Sequence, residues 1–126
     1  LASAVPGWQE ALAQLDPARL KGQVAYRCAS PDYLPLVGPV PDREAFLQDF
    51  AALRKNAKQT LPRRGQFLPG LYLSTAHGSR GLTSAPLAAE LLASQICGEA
   101  PPLCRELGRA LAPARFIIRD LRRNRI

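Results

Sequence analysis

The sequence predicts an α+β fold of three or four helices and two to four strands. Three observations carry this. Apolar residues recur at three- and four-residue steps in two long stretches, 42–58 and 83–97. A loosely alternating run at 22–29 and a short apolar run at 70–75 have strand character. Glycines and prolines punctuate the junctions. At 126 residues, 47% hydrophobic and 21% charged, the chain has a globular composition and enough length to bury a core.

The elements follow in order. Trp8, Leu12 and Leu15 share one helical face within 6–20, and Asp16-Pro17 ends that helix or opens another turn. Over 22–29, Val24, Tyr26 and Cys28 fall on one side of a strand, with Ala25 and Arg27 on the other. Pro31, Pro35, Pro39 and Pro41 predict an extended, turn-rich segment with no regular structure. Asp42 caps the next helix, Glu44 suits its first turn, and Phe46, Phe50, Leu53 and Ala57 form its apolar stripe. A basic loop with Arg63 and Arg64 leads to a buried strand, Leu71-Tyr72-Leu73. Thr83 or Ser84 caps a helix with Pro86 in its first turn, Leu87, Leu91, Leu92 and Ile96 facing inward, and Gly98 as its stop. Pro101-Pro102 precedes a short helix over 103–111, and the tail after it carries five arginines against Asp120.

Several classes are excluded. No apolar run approaches the ~18 residues of a membrane span, and the N-terminus lacks the pattern of a signal peptide. One histidine, His77, and three scattered cysteines do not make a self-contained zinc site, so no metal is expected. The cysteines read as small core residues, and their odd number fits a reducing cytoplasm. With no methionine anywhere, we read the chain as a piece of a longer protein.

The most informative local pattern is strand, then Gly78-Ser79-Arg80-Gly81, then helix. Such a turn leaves main-chain N–H groups open beside the positive end of a helix, which suits an anion; it is equally an ordinary tight turn. Arg27, inside an apolar strand, is either solvated on a half-exposed sheet or a two-pronged clamp for a carboxylate. Asp32 suits a turn that bonds its own backbone better than a general base. The tail arginines are either solvated or face a polyanion, and the net charge of +7 gives the second reading weight.

These residues resemble a family. Arg27, Asp32, Pro35 and Gly38, within Val24-Ala25-Tyr26-Arg27-Cys28-Ala29-Ser30-Pro31-Asp32-Tyr33-Leu34-Pro35-Leu36-Val37-Gly38, are similar to the late strand-and-loop motif of flavin amine oxidases related to D-amino acid and glycine oxidases. His77-Gly78-Ser79-Arg80-Gly81-Leu82-Thr83-Ser84-Ala85-Pro86 resembles the last strand, glycine loop and helix of the same fold. Arg-Cys-Ala, then Asp-x-Leu-Pro, then Gly-Ser-Arg-Gly-Leu-x-Ser-Ala-Pro is closest in wording to a branch of that family that modifies tRNA.

The resemblance implies an α/β parent, with a Rossmann-type FAD-binding part and a substrate sheet. Residues 1–126 would be a C-terminal piece of its oxidoreductase domain. Within it, 22–40 would be the substrate-side strand and loop, 70–98 the flavin-facing strand, loop and helix, and 113–126 a basic tail. Arg27 would hold the carboxylate of a carboxymethylaminomethyl group on a wobble uridine of tRNA. Hydride transfer to FAD and hydrolysis of the imine would release glyoxylate and leave the aminomethyl uridine. A separate N-terminal half using S-adenosylmethionine would then methylate it. Gly38, Gly78, Ser79, Arg80, Gly81, Leu82, Thr83 and Ser84 would face the cofactor, and Arg80 would also reach substrate. The family's glycine-rich dinucleotide loop is not in this sequence, so the isolated piece is expected to be inactive and to bind FAD weakly or not at all. Two other readings stay open: a basic RNA-docking module without redox chemistry, and a piece of a small-molecule glycine or amine oxidase.

Overall fold

The computed structural model describes residues 7–126. It is α+β: the described residues form five α-helices and a two-stranded antiparallel sheet, on which the third and fourth helices pack. The helices are α1 (Trp8–Ala13), α2 (Arg43–Asp49), α3 (Gly81–Cys97), α4 (Arg105–Leu111) and α5 (Arg115–Arg122), and the strands are β1 (Leu36–Pro41) and β2 (Phe67–Thr75). The expected first helix is reduced to α1, and Pro6 lies outside the described residues. No described helix is long and apolar enough to cross a membrane.

Two strand expectations need correction. Residues 22–28 form no strand; Ala29 alone makes an isolated bridge, to His77. A lone extended segment without a partner strand leaves its main-chain groups to water, and Val24 and Tyr26 are fully exposed. Conversely, β1 forms inside the proline-rich segment. Proline fixes a φ that extended backbone tolerates, and its missing N–H is harmless where no ladder bond is needed. Leu36 pairs with Thr75, Gly38 with Leu73 and Pro39 with Tyr72, but Pro41 pairs with Phe67 after a shift in register. Gly70, at φ 71°, takes the left-handed turn that lets the extra residues of β2 bulge there.

The Asp42 carboxylate accepts the Ala45 N–H at 3.1 Å, so the expected cap forms. Its helix is shorter than the stripe suggested. It passes into a 3-10 turn at Ala51–Arg54, and Ala57 is exposed. Phe46 and Leu53 are buried, and Phe46 stacks on Phe50 at 5.3 Å and meets the edge of Phe67 at 5.4 Å. Gly65 lies against the Cζ end of the Phe46 ring, where a Cβ would clash. Helix α5 packs on this side through Leu121, which is fully buried.

A second cluster, Val37, Ala88 and Leu91, joins β1 to α3, with Leu92, Leu103 and Leu111 packed around it. Leu87 and Ile96, expected to face inward, are exposed; Ala88 and Ser94 take the buried positions beside Leu91. The small residues let α3 lie close on the strand. Gly98 ends α3 as expected. The three cysteines, expected in the core, are all exposed. They lie on the strandless segment, at the last residue of α3 and just before α4, none of which has a layer over it.

Candidate functional site

The bridge between Ala29 and His77 brings the two motif segments together. The Gly78 N–H donates to the Cys28 main-chain oxygen at 2.9 Å. The residue after Arg27 is thereby fastened to the glycine loop, although the two are far apart in sequence. Arg27 itself is exposed, and no hydrogen bond or ion pair joins its guanidinium to another described residue.

The loop is built differently from the expectation. Gly78–Arg80 form a 3-10 turn, and α3 starts at Gly81, not after a Thr83 or Ser84 cap. Pro86 therefore sits inside α3 rather than in its first turn. Two loop donors are already committed. The Gly78 N–H serves Cys28, and the Arg80 N–H donates to the His77 oxygen at 3.1 Å. The open donors move to the first turn of α3, at Gly81, Leu82 and Thr83. Ser79, Arg80, Leu82 and Thr83 are exposed around it. No side chain caps this helix start.

His77 is the peg of this turn, a role not legible from the sequence. The Ser84 hydroxyl donates to the Arg80 oxygen at 2.9 Å and lies 2.8 Å from His77 Nδ1. A hydroxyl has one proton, so Nδ1 carries the hydrogen of that contact. Nε2 is then the acceptor and takes the Ser74 hydroxyl proton at 3.3 Å. The ring thus ties the end of β2 to the head of α3, and the Ser84 side chain is turned inward, not outward. Gly38 lies apart from the loop. It is buried in β1, where a Cβ would meet Gln95 Oε1 of α3 at 3.0 Å and Pro113 at 3.6 Å.

Asp32 also has a role the sequence did not show. Arg115 grips it with two bonds, Nε to Oδ2 at 2.9 Å and the Nη2 to Oδ1 at 2.8 Å. The same guanidinium donates to the Leu34 oxygen at 2.8 Å and to the Leu111 and Ala112 oxygens at 3.1 and 3.3 Å. All five of its N–H donors are used. Asp32 also accepts the Leu34 N–H at 3.2 Å, the expected turn, and the Ser30 hydroxyl at 2.7 Å. The Arg115 hydrogen bonds, helped by those from Ser30 and Leu34, hold the Asp32 carboxyl well below the usual carboxylate range. It is a lock between the motif and the α4–α5 corner, not a proton acceptor. The two partners are 83 residues apart, so no local spacing could reveal it.

Among the described residues, no three His, Cys, Asp or Glu side chains gather as a metal site. No family model matches the chain. Its relatives are bifunctional proteins of tRNA 5-methylaminomethyl-2-thiouridine biosynthesis, and the chain is homologous to a segment of them. These are the MnmC proteins. That of Pseudomonas paraeruginosa is 57% identical over 103 residues, covering 82% of this chain and 16% of the relative. The Stutzerimonas stutzeri protein is 51% identical over 111 residues, covering 86% and 17%. The Pseudomonas putida protein is 48% identical over 115 residues, covering 91% and 18%. The chain thus spans about a sixth of the length of the relatives it matches.

Proposed function

We propose that this chain is the substrate-carboxylate and flavin-facing wall of an FAD-dependent oxidoreductase acting on a wobble uridine of tRNA, in the cytoplasm, within a bifunctional polypeptide. The reaction is oxidative removal of the carboxymethyl group from 5-carboxymethylaminomethyl-2-thiouridine. The observation that carries this reading is the bond from the Gly78 N–H to the Cys28 oxygen, which sets the Arg27 segment against the loop that opens α3.

The residues fit a flavin there. A Cβ at Gly81 would meet nothing of this protein closer than His77 Cβ at 3.7 Å, and its φ is ordinary for a helix. The protein's own packing does not require glycine at that position, whereas close approach of a planar ring from outside does. Leu82, almost fully exposed beside it, is an apolar side chain that such a ring would cover. The flavin would supply the hydride acceptor. Gly81, Leu82 and Thr83 would hold it through main-chain N–H groups, where the helix end favours negative charge. Arg27 would hold the carboxylate of the N-substituted glycine with two parallel N–H···O bonds, and Arg80 adds positive charge at the same side. Methylation of the product falls to the other half of the polypeptide, with S-adenosylmethionine.

The test is Arg27→Lys in the full-length protein. A lysine keeps the charge but loses the fork. Turnover of the carboxymethylated uridine should fall about tenfold or more, while tRNA affinity stays within about twofold. Unchanged turnover would overturn the reading.

A further inference from the structure

A groove of about 750 Å³ runs between α5 and the 49–67 segment, on the face built around Phe46 rather than around the glycine loop. Phe50 and Phe67 lie in its floor, and six arginines line it with no lysine or carboxylate among the lining residues. Three of the six are already neutralised. Arg115 holds Asp32, Arg63 lies 3.5 Å from Asp49, and Arg119 lies 3.6 Å from Asp120. The other three, Arg109, Arg122 and Arg123, have no carboxylate within 4 Å among the described residues. Glu106, one turn before Arg109 on α4, is exposed and forms no ion pair with it; nearer hydrogen bonds hold its carboxyl below the ordinary value, and Arg109 and Arg105 contribute only weakly.

We infer that this groove holds the phosphodiester backbone of RNA, with Arg109, Arg122 and Arg123 on successive phosphates. The inference rests on the tRNA part of the proposed function and names the surface that holds that substrate. Charge complementarity selects the occupant. The lining cations are all guanidinium groups, whose planar fork matches two phosphate oxygens. Phe67, 41% exposed, and the partly exposed Phe50 offer aromatic surface on which bases can stack, which an acidic peptide does not need. Arg115 is excluded from ligand contact by its five internal bonds, so the site is the three arginines with nothing else to hold.

The experiment uses the full-length protein carrying Arg109→Gln, Arg122→Gln and Arg123→Gln together. All three residues are exposed and make no side-chain bond to other described residues, so folding should survive. A second triple variant, Lys21→Gln, Arg43→Gln and Arg105→Gln, removes the same charge away from the groove. Binding of tRNA and of an unrelated single-stranded RNA is followed by anisotropy from about 50 to 200 mM salt. The groove variant should lose about tenfold or more in affinity at low salt, and its salt dependence should flatten by about two to three in log–log slope. The control should keep the slope. Equal behaviour of the two variants, or a groove variant that binds as the unmodified protein does, overturns the inference. If turnover stays intact in that case, the redox reading survives alone. Loss of RNA affinity in a protein that oxidises no carboxymethylated uridine would leave the groove and sink the redox reading. If the unmodified protein binds no RNA, the groove is overturned, and turnover on the free nucleoside decides the fate of the oxidase.

Discussion

Arg27 and Arg115 flank the same turn and could hardly be more different. Arg115 is 11% exposed in its side chain and gives all five of its donors to Asp32, Leu34, Leu111 and Ala112. Arg27 is exposed and gives none to any described residue. The first closes a corner of the fold, because two of its acceptors are the last carbonyls of α4, where a cation is favoured. The second sits on a segment that contributes one bridge and one main-chain bond to the fold. A guanidinium with every donor committed has nothing left for a ligand. One with none committed is either idle or waiting for a partner that the chain does not contain. The contrast therefore separates an arginine that builds the fold from one that the fold leaves uncommitted, without appeal to charge, which the two share.

The largest expected effect breaks that comparison if it fails. Arg115→Ala leaves a carboxylate and three carbonyls short of donors, so it should cost about 3 kcal/mol in denaturant unfolding. Arg27→Ala should stay within about 0.5 kcal/mol. Equal losses in the two variants would show that Arg27 also holds the fold, and the assignment of Arg27 to substrate would fall with it.

A smaller effect sharpens the same contrast through pH. The folded Asp32 carboxyl titrates below its value in the unfolded chain. The unfolded state thus takes up the proton first as acid is added. The contribution of the lock is complete above the unfolded value of about 3.9 and is lost as the pH falls from there toward the depressed folded value. Asp32→Asn keeps the shape and removes the charge. Its stability deficit, about 1–2 kcal/mol near neutrality, should be constant from about pH 5.5 to 8 and shrink below about pH 4. A deficit that does not change in acid would mean that the charge of Asp32 is not what Arg115 holds.

How much of this was legible depends on range. Local signals read well: the Asp42 cap, the Gly98 stop, a strand at 70–75 and the helix after the glycine loop were all in the sequence, but that strand is not buried as expected, since Leu71 is exposed and Tyr72 and Leu73 are only partly covered. Errors came where an element needs something distant. The alternation of 22–29 is a sound strand pattern, but a strand exists only against a partner, and here only Ala29 has one. The prolines of 35–41 read as a break, yet β2 supplied the pairing that made them a strand. The candidate site split the same way. The loop and Arg27 were visible as motifs. Their juxtaposition through Cys28 and Gly78, the lock of Asp32 on Arg115 and the arginine groove were not, because each joins residues far apart in sequence.

The smallest effect concerns Ser84, where the motif and the geometry disagree about which way a side chain works. As part of the glycine-loop motif it would face the cofactor. In the fold its hydroxyl accepts from His77 Nδ1 and donates to the Arg80 oxygen, leaving one lone pair and no proton for anything outside. Ser84→Ala should therefore act on the fold. It removes two hydrogen bonds at a half-buried position where water replaces part of the loss, which amounts to about 1 kcal/mol. Flavin affinity of the full-length protein should change less than about threefold, because the main-chain donors of Gly81, Leu82 and Thr83 remain in place. If flavin affinity instead falls tenfold with stability unchanged, the hydroxyl points to the ligand in the working enzyme. The His77 peg would then be a feature of the segment by itself, and the proposed set of donors at Gly81, Leu82 and Thr83 would extend one residue further along α3.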